Sequence, residues 1–158
     1  MQIMHLPPEI YKQVITNSIV SSVDVIFVNG EGKILLGLRN NEPLKWVYYI
    51  PGGMRYKGET IEEGVRRKMK EELWIDIDVG KLIFLGVYDD IFENWYFEGV
   101  KAHSCPITYV YHLSDDEEKN IWIWDIRHND IKFFDIDDPT LHEMVKIRVR
   151  DMREKGIV

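Results

Sequence analysis

A chain of 158 residues with 45% hydrophobic content has the length of one domain, and folding removes roughly two-thirds of such a chain's surface from water without staples. The lone Cys105 excludes an intramolecular disulfide and a Cys-rich zinc site. With 20 Lys and Arg against 27 Asp and Glu, the net charge of −7 lacks the electrostatic footprint of a nucleic-acid binder and would be repelled by an anionic membrane.

The opening MQIMHLPPEI has no basic segment followed by a long apolar stretch, and apolar runs such as 81–87 are too short to span a bilayer. A soluble, cytoplasmic protein is expected. Pro7 and Pro8 suit a first helical turn, with Ile10, Val14 and Tyr11 sharing a face as far as Thr16. Residues 19–28 alternate with the two-residue period of a strand, 29–32 carry turn chemistry, and 33–38 return as a second strand. A short strand at 46–50 is stopped by Pro51-Gly52-Gly53.

The clearest helix follows, with Thr60 and Glu63 as a capping box and Ile61, Val65, Met69 and Leu73 as its buried stripe. Strands are expected at 81–88 and 107–113, separated by an aromatic loop, then a charged turn at 114–120 and a last strand near 131–134. A final helix is expected to be capped by Asp138, with Pro139 at its first position and Leu141, Met144, Val145, Val149 and Met152 inward. The segment 121–124 reads equally as strand or ordered loop. Strands interrupted by two long helices indicate a mixed β-sheet covered on both faces, an α/β (α+β) sandwich forming a single domain over 1–158.

Residues 52–75, GGMRYKGETIEEGVRRKMKEELWI, hold the chemistry. A Gly-rich loop running into a helix offers free backbone N–H groups to an anion. Lys68 precedes Glu71 by three residues and Glu72 by four. Glu72 falls within the arc of Ile61, Val65 and Met69, where a carboxylate is costly unless paired or bound to a metal. One or two carboxylates plus a substrate phosphate describe a typical magnesium site.

The segment resembles the Nudix hydrolase box at Gly53, Glu59, Arg67, Met69, Glu71, Glu72 and Ile75, all in register. Lys68 replaces the first glutamate after the arginine, and Trp74 replaces the second glycine. The likeness is nearest to the GDP-mannose mannosyl hydrolases, a branch that lacks the same glutamate, and it runs through 5–135 and the final helix. It implies a Nudix-like α/β/α sandwich and a homodimer formed through residues 1–17. The implied activity is Mg2+- or Mn2+-dependent hydrolysis of a nucleotide-sugar substrate, GDP-mannose or GDP-glucose, to GDP and free sugar.

Carried over residue by residue, Gly52 would offer its carbonyl and Glu72 its carboxylate to the metal. Arg39 would contact the diphosphate, Tyr11 would lie near the base, and His128 would be the general base. Arg127 stands where the branch has a glutamine ligand; having no acceptor, it could contact the diphosphate directly, or the metal could take another water. Asp24, an acid on an apolar strand face, calls for a partner. Arg39 is a candidate, and a structural ion pair and substrate orientation are both open roles. Glu59 and Arg67 are expected to pair. The loop 92–97, with four aromatics, would stack a base, cover a sugar or pack against another subunit. Two other functions remain open: a conventional pyrophosphohydrolase with Glu71 and Glu72 both on metal, and a nucleotide-binding module without turnover.

Overall fold

A computed structural model describes residues 6–121 and 130–158 in full and residues 122–128 as helical backbone only. In chain order the elements are α1 (Pro8–Asn17), β1 (Val20–Val28), β2 (Ile34–Leu38), β3 (Tyr48–Tyr49), β4 (Gly52–Met54) and α2 (Ile61–Leu73). A 3₁₀ turn (Val79–Lys81) leads to β5 (Ile83–Val87), β6 (Asp90–Phe92), β7 (Ala102–His112), α3 (Asp115–His128), β8 (Ile131–Phe134) and α4 (Glu143–Glu154).

β1 is the axis of the mixed sheet, whose order is β3-β2-β1-β7-β5, with β4 on β1, β6 on β7 and β8 on β2. It runs parallel to β7 from Val20 opposite Ser104 to Val28 opposite His112. Its other edge is divided: β4 pairs with residues 22–24 and β2 joins at Val28. The side-chain alternation of β1 builds two cores. Val23, Val25 and Phe27 pack with Val65, Met69 and Leu73 of α2. Ile26 and Val28 pack with Val145, Val149 and Met152 of α4. The sheet is therefore covered on both faces, with Asp24 on the face that meets α4.

α2 starts as its sequence dictates: Thr60 Oγ1 accepts the Glu63 N–H at 3.2 Å, and Glu63 Oε2 accepts the Thr60 N–H at 2.7 Å. It ends on Trp74, which is left-handed at φ 58° and donates its N–H to the Lys70 carbonyl, while Ile75 donates to the Met69 carbonyl. The second glycine of the box falls at this position, and a left-handed C-cap is what glycine supplies without strain.

Three expectations need correction. The charged stretch 114–120 is not a turn but the start of α3. Ser114 and Glu117 exchange backbone and side-chain bonds at 2.7 and 3.2 Å, and four acidic residues occupy the first turn, where the helix dipole favours them. The segment 121–124, expected as strand or ordered loop, continues the same helix, which runs on through His128. Asp138 does not cap α4. Its Oδ1 accepts the Thr140 N–H at 2.8 Å and hydroxyl at 2.6 Å, closing a turn, and the helix begins five residues later under His142. Among the described residues no helix is long and apolar enough to cross a membrane.

Candidate active site

A cavity of about 450 Å³ opens where β1 parts from β2 and pairs with β4. It gathers Tyr11, Asp24, Arg39, Gly52, Lys68 and Glu72 from five separate stretches of chain. Glu71 is not among its lining residues. It lies outside on α2, its side chain 43% exposed and paired with Arg67 at 3.2 Å.

Gly52 is fixed by close approach. A Cβ there would fall 2.1 Å from Asp24 Oδ1 and 2.3 Å from the Val23 carbonyl. Val25 donates to the Pro51 carbonyl and Arg55 to the Ser21 carbonyl, both at 3.0 Å, so the ladder to β1 uses the odd-numbered residues of β4 and its flanks. The polar groups of Gly52 are therefore turned from β1 toward α2, and its N–H donates to Glu72 Oε2 at 3.2 Å. Glu72 Oε1 meets Lys68 Nζ at 3.1 Å.

Arg67 ties the box together. Its guanidinium donates to both Glu59 oxygens, at 2.5 and 3.0 Å, and to the Met54 carbonyl at 2.9 Å. It also lies 4.1 Å over the Tyr56 ring. Hydrogen bonding from Arg67 holds the Glu59 carboxyl below its usual range.

The cavity floor is drier. Asp24 is 7% exposed, and burial, with Asp90 and Glu72 adding, pushes its carboxyl up to about 8 against the opposing charges of Arg148 and Arg39. Asp24 therefore carries its proton through much of the neutral range. Asp90, from β6, accepts Arg148 Nη2 at 2.8 and 2.9 Å and the Tyr49 hydroxyl at 2.9 Å. Arg148 is 1% exposed, donates to the Met144 carbonyl and lies 4.2 Å over the Tyr88 ring. Sequence reasoning missed this group. The signal was available: position 148 lies on the apolar stripe of α4, between Val145 and Met152, where an unpartnered arginine would be as costly as an inward glutamate.

Arg39 does not pair with Asp24 as expected. Its Nε donates to the Pro43 carbonyl at 2.5 Å and its Nη2 to Asn41 at 3.4 Å, which presents the guanidinium at the cavity lip. Tyr11 packs on Phe97, with ring centroids 5.8 Å apart, in a cluster with Phe92, Trp95 and Met54. The aromatic loop is thus tied to α1 and contributes Phe92 and Trp95 to the cavity wall. Arg127 and His128 are the last residues of α3, and their side chains lie outside the described residues.

Among the described residues no group of three or more His, Cys, Asp or Glu side chains stands where it could hold a metal ion. The donors present are the Glu72 carboxylate and the Gly52 carbonyl turned toward it. They fit one divalent ion completed by water and substrate phosphate oxygens, the usual coordination of magnesium at phosphate sites.

The NUDIX domain model matches residues 19–154. The chain belongs to the Nudix family. It is 28% identical over 142 residues to the "low-salt glycan biosynthesis protein Agl8" of Haloferax volcanii, covering 89% of this chain and 86% of that protein. Over 61 residues it is 44% identical to an ADP-ribose pyrophosphatase of Methanocaldococcus jannaschii, a match to 39% of this chain and 35% of that relative. The crystal structure of a MutT NUDIX hydrolase from Burkholderia pseudomallei is similar with a TM-score of 0.66 at 25% identity, covering 85% of this chain and 98% of that one. The α+β Nudix fold expected from the sequence is the fold observed.

Proposed function

We propose that this Nudix protein hydrolyses a nucleoside-diphosphate sugar, GDP-mannose or GDP-glucose, by attack of water on the anomeric carbon, releasing GDP and free sugar. The observation that carries the reading is the division of the two box carboxylates. Glu72 faces the cavity with the Lys68 ammonium on it, while Glu71 faces outward onto Arg67. Two carboxylates that could together activate water against phosphorus are not presented to the cavity, so the carbon–oxygen bond is the better target.

Glu72 and the Gly52 carbonyl would hold one Mg2+ or Mn2+, which supplies positive charge to the diphosphate and to the departing GDP. The chain's own residues supply the rest. Arg39, at the lip, would bind the diphosphate, and Arg127 would add a second cation. Tyr11, with the aromatics of 92–97, would hold the base. Asp24, protonated on the floor, would donate a hydrogen bond that orients substrate. His128 would take the proton from water as general base. Residues 1–17 would form the contact of a homodimer, and the protein would act in the cytoplasm.

The Methanocaldococcus relative favours a second reading, cleavage of a phosphoanhydride. Turnover of GDP-mannose in oxygen-18 water separates the two. Label in mannose with unlabelled GDP supports attack at carbon, and label in a phosphate establishes the pyrophosphohydrolase. No product from any nucleotide sugar would leave a binding module.

A further inference from the structure

Lys68 stands where the Nudix box carries a glutamate, and its ammonium is drawn into the cavity, not left in solvent. The side chain is 18% exposed, with Nζ 3.1 Å from Glu72 Oε1 and 3.5 Å from Glu71 Oε2. Gly53 makes room for it: a Cβ there would fall 2.6 Å from Lys68 Cε and 3.0 Å from Nζ. The Glu72 carboxylate is thereby shared, one oxygen accepting the Gly52 N–H and the other facing the ammonium.

A divalent ion on Glu72 and the Gly52 carbonyl would want the same carboxylate charge that Lys68 now neutralises. Two cations cannot both sit on one half-buried carboxylate without strong repulsion. A lysine is suited to give way, because its charge rides on a flexible four-carbon stem with three rotatable donors. The cavity offers it a second destination. A diphosphate bound between Arg39 and Glu72 brings anionic oxygens into the space around Nζ.

We propose that Lys68 is a resident counter-cation of the site. It neutralises Glu72 in the resting protein, yields that carboxylate to a single incoming divalent ion, and then turns its ammonium to the substrate diphosphate. The inference rests on the nucleotide-diphosphate reading above and adds a phosphate-binding residue to it. Lys68 also limits the site to one ion, because a second would meet the ammonium.

Three variants of the full chain test this: Lys68→Met, Lys68→Arg and Gly53→Ala, whose added methyl must push the lysine stem aside. Thermal melting checks that each is folded. Free Mn2+ is followed by electron paramagnetic resonance without nucleotide, and GDP binding by calorimetry at saturating Mn2+. The wild type should bind one Mn2+ per chain. Lys68→Met should bind it roughly tenfold more tightly and GDP roughly tenfold more weakly. Gly53→Ala should move Mn2+ affinity the same way by less, and Lys68→Arg should keep GDP affinity near wild type.

The proposal is overturned if Lys68→Met and Gly53→Ala both match wild-type Mn2+ affinity, if the wild type takes up two ions, or if Lys68→Met keeps its GDP affinity. Absence of GDP binding to the wild type would sink the nucleotide-diphosphate reading and Lys68's phosphate role with it. The Mn2+ titration would still decide whether Lys68 holds the cation's place.

Discussion

The cavity has two charged regions built on opposite plans. Around its mouth, Arg67, Lys68 and Glu72 line the cavity with Glu59 and Glu71 paired to them from outside; all come from the 14 positions 59–72, and several remain in contact with water. On its floor, Asp24, Tyr49, Asp90 and Arg148 come from β1, β3, β6 and α4, and each is nearly or wholly removed from solvent. The mouth can exchange partners, since each charge there has another charge or water at hand. The floor cannot. A guanidinium and a carboxylate in a dry site lose several kcal/mol of hydration each and persist only while their partners are in place. Chemistry that needs mobile cations belongs at the mouth, and rigid support for Asp24 belongs at the floor.

Removing one floor partner should therefore have the largest effect on stability. Arg148→Met leaves the Asp90 carboxylate buried beside Asp24 and should cost about 3–5 kcal/mol in urea unfolding. Combining it with Asp90→Leu removes the stranded charge and should recover more than half of that loss. A small single-mutant effect, or a double mutant worse than the single, would mean that the floor is not the closed ion pair its geometry describes.

At the mouth the sharpest contrast lies between neighbours. Glu72→Gln should lower turnover by ~10²-fold or more, because the cavity then has no helix carboxylate to hold a divalent ion. Glu71→Gln should change turnover only a few-fold, since its side chain does not line the cavity and pairs with Arg67 instead. Both changes should leave the melting temperature within a few degrees of wild type, unlike the floor variants. Equal losses from the two would place both carboxylates in the working site and favour phosphoanhydride cleavage.

The same division explains what could be read in the sequence. α2, its capping box and the inward aim of Glu72 follow from residues three and four apart, so local spacing was sufficient. The strand alternation that isolates Asp24 was equally local. Its environment was not: Arg39 looked like the partner because its strand neighbours β1, yet the cation nearest the floor comes from 124 residues further along. β6 is three residues long and carries no period to recognise. At 114–120 the run of acids by itself suggests a charged turn, yet Ser114 and Glu117 spell a helix cap, and the cap decides the conformation. Asp138 misled in the opposite direction, having the chemistry of a cap and using it in a turn.

The smallest effect lies at the junction of floor and helix. His142 caps α4 with Nδ1 accepting the Met144 N–H at 3.2 Å, and its ring stands edge-on to Tyr49 at 5.9 Å. Only the neutral ring can accept at Nδ1. Burial lowers its pKa from the ordinary 6.5, and Arg148 adds to this, while Asp90 and Glu143 oppose it. A depressed folded pKa means that the unfolded chain takes up the proton first as pH falls. Stability from this cap is therefore complete above about 6.5 and declines below it. His142→Asn keeps a capping acceptor that does not titrate. The two proteins should melt together near pH 8, where a cap is worth about 1 kcal/mol in either form, and the variant should gain on the wild type as pH falls toward 5. Parallel melting curves across that range would show that the imidazole takes up its proton alike in the folded and unfolded chain, so that the cap is not linked to its charge. In that case the floor would be insulated from the helix end that packs against it.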